Sequence, residues 1–142
     1  MSQNLNQLID DFSLLDDWEE RYRYVIELGR ALPAMDGHLK TAATKVSGCA
    51  SQVWIHSRLE QTPDGPRLAL MGDSDALIVK GLIAIAFMLF APMTAAEIVA
   101  HDAVASLQQL GLQEHLTPQR SNGFASMIAR IKSDARSAVM AQ

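Results

Sequence analysis

The chain has 142 residues, 49% hydrophobic and 20% charged, which is enough apolar material for one core of ordinary domain size and too much for wholesale disorder. Twelve Lys and Arg stand against sixteen Asp and Glu, a net charge of −4 with no run of one sign; phosphate-backbone binding lacks its driving force, and nucleic acid is not an expected ligand. The single cysteine, Cys49, excludes an internal disulfide and any all-thiolate zinc or iron–sulfur site built within one chain.

Met1 to Phe12 carries neither a basic start nor a long apolar run before Asp10 and Asp11, so no export signal is expected and the expected compartment is the cytoplasm. Leu5, Leu8, Ile9 and Phe12 recur at helical spacing and predict a short first helix. Asp16 or Asp17 can cap a second, with Glu19 and Glu20 in its first turn. There Trp18, Tyr22, Val25, Ile26 and Gly29 share one side, and Arg23, Glu27 and Arg30 lie on the other. This helix ends near Pro33, and Ala34 to Thr41, containing Gly37, reads as a loop.

Between Thr44 and Asp73 the period changes to two. Val53, Ile55, Ser57 and Leu59 alternate with Trp54, His56, Arg58 and Glu60, which is a strand pattern. Thr62-Pro63-Asp64-Gly65 is turn chemistry, and Leu68 and Leu70 within Arg67 to Met71 make a second, antiparallel strand. Lys45 and Val46 are expected to begin a third. The apolar stretch Ala76 to Ala91, interrupted by Lys80 and Gly81, falls short of the ~20 residues that cross a bilayer. It predicts a buried helix beginning near Ser74 that covers the sheet, and no membrane partner. Thr94-Ala95-Ala96-Glu97 is a capping box for the next helix, closed by Gly111. Pro118 punctuates a loop, Ser121 can cap the last helix, and Phe124, Met127, Ile128 and Ile131 form its apolar side before it frays near Gln142. The expected fold is one α+β domain over residues 1–142: a small three-stranded antiparallel sheet with helices packed on one side.

The chemical question centres on Ser47-Gly48-Cys49-Ala50-Ser51, five small residues where the first strand gives way to the second. Little bulk and a glycine beside the thiol allow another protein's reactive group to approach the sulfur closely. A small buried hydrophobe is the bland alternative for a lone intracellular cysteine, and spacing alone does not decide between them. The histidines His38, His56, His101 and His115 form neither HExxH nor another short ligand spacing, so no metal site is expected. His38, His56 or His115 could serve as base to a Cys49 nucleophile in a hydrolase or acyl transferase, although no elbow or cysteine-protease signature accompanies them. For His56 a partly buried sheet position is the commoner case. Trp54 reads as core or sheet-face packing and Met88 and Met93 as hydrophobic filling. Asp73 and Asp75 read as helix-start carboxylates, Lys80 as a packed stem with its ammonium in water or a partner contact, and Arg120 as a guanidinium able to hold a thiolate, a persulfide or a partner's carboxylate, or else as a surface residue just before a helix.

Gly48-Cys49-Ala50-Ser51-Gln52-Val53-Trp54 resembles the cysteine-loop signature of the SufE sulfur-acceptor family. Gly72-Asp73-Ser74-Asp75-Ala76, running into Ile78-Val79-Lys80-Gly81-Leu82, resembles the segment opening that family's central helix. Leu116-Thr117-Pro118-Gln119-Arg120-Ser121-Asn122-Gly123 resembles its C-terminal loop and helix start. The three occur in the family's order, and the similarity runs from about Phe12 to Ile131. The Ser51-Gln52-Val53-Trp54 ending looks more like the SufE branch than its CsdE relatives, although Ala50 replaces the polar residue common after the cysteine. The resemblance implies the fold shared with IscU-type scaffolds. It also implies that Cys49 accepts persulfide sulfur from a PLP-dependent, SufS-type cysteine desulfurase, stimulates that enzyme, and delivers sulfur to a SufBCD-type scaffold for iron–sulfur cluster assembly. No cofactor is expected on this chain, since PLP belongs to the desulfurase, and no turnover of its own. Arg120, Asp75, Gly48, Ser51 and Gln52 are the implied supports of the persulfide or the partner, with Asp75 influencing the cysteine loop. An inert IscU-like binding module is the remaining alternative.

Overall fold

The computed structural model describes residues 5–141, the side chain of Gln113 apart. Met1 to Asn4 and Gln142, on which part of the expected start without an export signal and the expected fraying fall, lie outside the described residues. Helix α1 (Leu5–Ser13) buries Leu8 and Phe12. Helix α2 (Trp18–Arg30) is capped by Asp17, whose side chain accepts from Glu20 N at 2.8 Å, so of the two candidate caps Asp17 is the one used. Val25 and Gly29 are its buried residues. The connection that follows includes a 3-10 turn at Gly37–Leu39.

Strands β1 (Val53–Thr62) and β2 (Gly65–Ser74) pair antiparallel from Val53 opposite Ser74 to Thr62 opposite Gly65, joined by Pro63-Asp64. Val53 and Ile55 are fully buried on one face, and Trp54 is half-buried on the other with the Lys40 ammonium 5.3 Å from its ring centre. The expected third strand is absent: Lys45 makes only an isolated bridge to Trp54. Two bonds carry that bridge, Val46 N to Val53 O at 2.8 Å and Ile55 N to Thr44 O at 2.9 Å. The pairing stops because a turn consumes the residues before it, with Lys45 N bonded to Thr41 O and the Thr44 hydroxyl to Leu39 O. On the other side Gly48 turns the chain away.

Helix α3 (Leu77–Phe90) is buried along most of its length. It begins at Leu77 rather than near Ser74, because Ser74 still belongs to β2. Gly81, which looks like an interruption of an apolar helix, is where α2 crosses: a Cβ on Gly29 would fall 2.7 Å from Gly81 N, and a Cβ on Gly81 would collide with the Val25 carbonyl. On the sheet side a Cβ at Gly72 would fall 2.8 Å from Ile83. Both neighbours therefore reach α3 through absent side chains, as close-packed interiors require.

Thr94 and Glu97 form the expected reciprocal capping box on α4 (Ala95–Ala100). The single helix expected from there to Gly111 is divided, because Asp102 accepts from Ala105 N and starts α5 (Ala103–Gln108). Gly111 stands in the left-handed region, φ 67°. Helix α6 (Pro118–Met140) starts earlier than Ser121: Thr117 caps it by accepting from Arg120 N, with Pro118 at the first helical position, where no N–H is needed. Ser121 lies inside the first turns. The core is contiguous, with Phe90, Ile83, Ile85, Ile98, Met127 and Ile131 almost fully enclosed. The class is α+β, as expected, with two strands instead of three among the described residues.

Candidate functional site

Ser47 to Gln52 span the gap between the Lys45–Trp54 bridge and β1, so the loop is tied at both ends. Gly48 has φ 88°, and a Cβ there would lie 2.6 Å from Ser126 Oγ on α6. The conformation thus favours glycine, and any larger residue would also have to displace the Ser126 hydroxyl. That turn directs Cys49 inward against α6. The thiol is half-buried, and its sulfur lies 3.5 Å from the Gly123 carbonyl, to which the S–H donates. Burial pushes the thiol pKa above its ordinary value. The resting sulfur is therefore more protonated and less nucleophilic than a solvated cysteine.

Cys49 opens onto a cavity of about 240 Å³. Val79 and Leu82 of α3 and Met127 of α6 form its apolar floor, with Ala50, Ser51, Thr117, Gln119, Arg120 and Gly123 around the sulfur and rim. Arg120 lies in the first turn of α6 rather than before it. Among the described residues its guanidinium has no ion pair or side-chain hydrogen bond, which leaves a permanent cation on the cavity that holds the half-buried thiol.

The far end of the loop is fastened by Asp75. Its carboxylate accepts from Gln52 N at 3.1 Å, while its own N–H donates to Gln52 O at 3.4 Å. Asp75 is thus a loop anchor and not the helix cap its position suggests; Ala76 is the N-cap, without a side-chain bond. Asp73 is no cap either. Lys40 and Lys80 both pair with it, Lys80 at 3.1 Å, and Ser74 N donates to it at 2.8 Å. Burial raises its pKa, but the bonds from the two lysines and Ser74, with the Lys80 charge, outweigh that and hold it below the usual range. The Lys80 ammonium ends on this carboxylate, between the packed stem and the partner contact read from sequence.

Sequence-selected residues therefore converge in part. Cys49, Ser51 and Arg120 share the cavity, Gly48 shapes the loop, and Gln52 and Asp75 close it. The histidines do not converge. His56 lines a groove between β1 and α6, His38 is exposed near Asp36, His101 bonds Ser106, and His115 stacks on Trp18. None lines the cavity, so the hydrolase reading has no base there. Among the described residues no group of three His, Cys, Asp or Glu is placed to hold a metal ion, and no helix is long and apolar enough to cross a membrane. Sequence reasoning gave no role to Gly123, Ser126 or Arg130, all on α6. A glycine within a helical pattern costs about 1 kcal/mol relative to alanine and signals close approach, so Gly123 was the findable one.

Residues 6–135 match the family model for SufE, described as an Fe-S metabolism associated domain. A SufE-like protein of Rhizobium etli is 50% identical over 133 residues, covering 94% of this chain and 90% of the relative. One from Rhizobium meliloti is 51% identical over 132 residues, covering 93% and 94%. The solution structure of a hypothetical protein from Thermus thermophilus shares the fold, with TM-score 0.75, 19% identity and 96% of each chain covered.

Proposed function

The chain belongs to the SufE family, which places it in iron–sulfur metabolism, and from that premise we propose that Cys49 is the acceptor of sulfane sulfur from a SufS-type, PLP-dependent cysteine desulfurase. The observation that carries the reading is the chain's lone thiol, held at rest in a cavity whose rim offers an uncommitted guanidinium. The Ser51-Gln52-Val53-Trp54 ending supports the SufE branch over CsdE.

In the transfer, the Cys49 thiolate attacks the outer sulfur of the donor persulfide. A Cys49–sulfur bond forms, the donor's S–S bond breaks, and the donor cysteine leaves as thiolate, taking up the proton that Cys49 gave up. No oxidant is consumed. Arg120 supports the anionic sulfur, or a carboxylate of the partner, by charge-assisted hydrogen bonds. The raised pKa and inward pose keep Cys49 idle in solution, so docking must turn it outward before it reacts. Gly48, Ser51 and Gln52 belong to the segment that moves, and Asp75 sets its resting end. The carrier stimulates the desulfurase by emptying its cysteine and passes the sulfur to a SufBCD-type scaffold in the cytoplasm; PLP stays with the desulfurase, and this chain needs no cofactor and turns over nothing alone.

Incubation with a cysteine desulfurase, PLP and L-cysteine is expected to add the mass of one sulfur atom to the intact protein. The addition should be reversed by reductant and absent in Cys49→Ala. No added sulfur on the parent, or equal addition in the variant, would overturn the reading.

A further inference from the structure

Resting on that reading, we propose that Arg130 is the positioning residue that latches the root of the cysteine loop onto α6 and so keeps Cys49 in its shielded pose. Arg120, Gly123, Ser126, Arg130 and Asp134 recur every three or four residues and so form one stripe of α6. The first three touch the cavity or the loop. Further along, the Arg130 guanidinium donates to Ala43 O at 2.7 Å and Lys45 O at 3.3 Å, carbonyls of the segment that leads into the loop. Its Nε is fixed by Asp134 at 3.2 Å, and Asp134 in turn accepts from the Ser57 hydroxyl of β1 at 2.7 Å. One side chain thus ties the loop root, α6 and β1 together.

The latch acts where the ladder is weakest. Among the described residues, the segment before the loop has only the single bridge to β1, and no third strand holds it. Arg130 supplies the missing fastening from the helix side, and its planar fork spans two carbonyls and a carboxylate, a geometry that a lysine cannot reproduce. It does not touch the sulfur and acts through the backbone on which Cys49 sits.

The test is the rate of Cys49 alkylation by iodoacetamide across a pH series in the free protein, which needs no desulfurase. Arg130→Ala is expected to raise the plateau rate about tenfold, as loss of charge-assisted bonds from the closed pose implies, and to lower the apparent thiol pKa. Removing a positive charge alone would raise that pKa, so the direction separates release of the loop from simple electrostatics. Arg130→Lys should recover little and Asp134→Asn should give a smaller rise, while Arg58→Ala, which removes an exposed ion pair, should behave as the parent. Plateau rates and pKa equal to the parent's in the folded Arg130 variants would overturn the latch; should Arg130→Ala not fold, Arg130→Lys and Asp134→Asn decide by the same readout. A parent that fails to load sulfur while its alkylation still responds to Arg130 defeats the carrier reading and leaves the latch standing.

Discussion

The Gly123 carbonyl faces the Cys49 sulfur at 3.5 Å across 74 residues of sequence. A Cβ added at Gly123 would stand 3.5 Å from the sulfur and 3.7 Å from the Cys49 Cα, which is ordinary van der Waals contact. The two residues are as close as they can be while leaving room for one methyl group. That methyl would take up space beside the sulfur in the cavity that both residues line.

Gly123→Ala is therefore expected to stabilise the free protein by up to about 1 kcal/mol, since a helical glycine gives way to the best helix former without a clash. The same variant should load sulfur more slowly. Chemical denaturation and intact-mass time courses read the two effects, and a destabilised protein would contradict the room assigned beneath the sulfur.

At Gly48 the opposite is expected. Its φ of 88° and the 2.6 Å approach of a Cβ to Ser126 Oγ both penalise alanine, for a loss of about 1–3 kcal/mol. Adding Ser126→Ala, which removes the hydroxyl and leaves a Cβ at 3.5 Å, should recover the steric part and leave the conformational part. Equal stability of the single and double variants would remove the clash from the account.

Asp73 links pH to stability. Its carboxyl is held below the usual range by Lys40, Lys80 and Ser74 N against the opposing effect of burial. Its contribution is thus complete above the unfolded-state pKa and is lost as pH falls through the depressed folded value. Asp73→Asn should cost about 1–3 kcal/mol near neutrality, between an exposed and a buried pair. The difference from the parent should shrink in acid, which urea denaturation at the two pH values measures; a constant difference would contradict the assignment.

The helix crossing makes Gly81→Ala costly even though α3 would gain helix propensity. The gain is about 1 kcal/mol, whereas overpacking against the Val25 carbonyl, a backbone group that cannot rotate away, costs about 3 kcal/mol or more. A clear net loss in denaturation is expected. Gly29→Ala should behave alike, and the pair should be less than additive because both force the same helices apart.

What was legible in the sequence follows physical range. The period-two pattern at Val53 to Glu60 and the Asp17 and Thr94 caps are local signals that appear where expected, and the buried helix appears too, with its start moved from Ser74 to Leu77. The third strand failed because Lys45 and Val46 carry strand character, but the Thr41 to Thr44 turn, built from hydroxyl and backbone bonds, leaves too few residues to extend a ladder. Ser121 lost to Thr117 because proline at the first helical position moves the start upstream. Within the site, Cys49 and Arg120 were readable from chemistry and motif. Asp75 looks like a cap because its partner, Gln52, lies 23 residues away. Arg130 was invisible because its acceptors are main-chain carbonyls of Ala43 and Lys45, more than 80 positions earlier, and main-chain acceptors leave no mark in composition.

A two-stranded ribbon also has consequences for how the molecule meets copies of itself. Beyond Ser57 the outer side of β1 is paired with no further strand among the described residues, leaving amide groups that another extended chain could in principle adopt. Arg58 and Glu60 of that strand form an exposed ion pair, with Pro63 in the turn and Pro66 on β2. Charge thus guards that margin. Exchanging that pair for valine or threonine would convert a solvated rim into an adhesive one, with self-association as the penalty and Cys49 untouched.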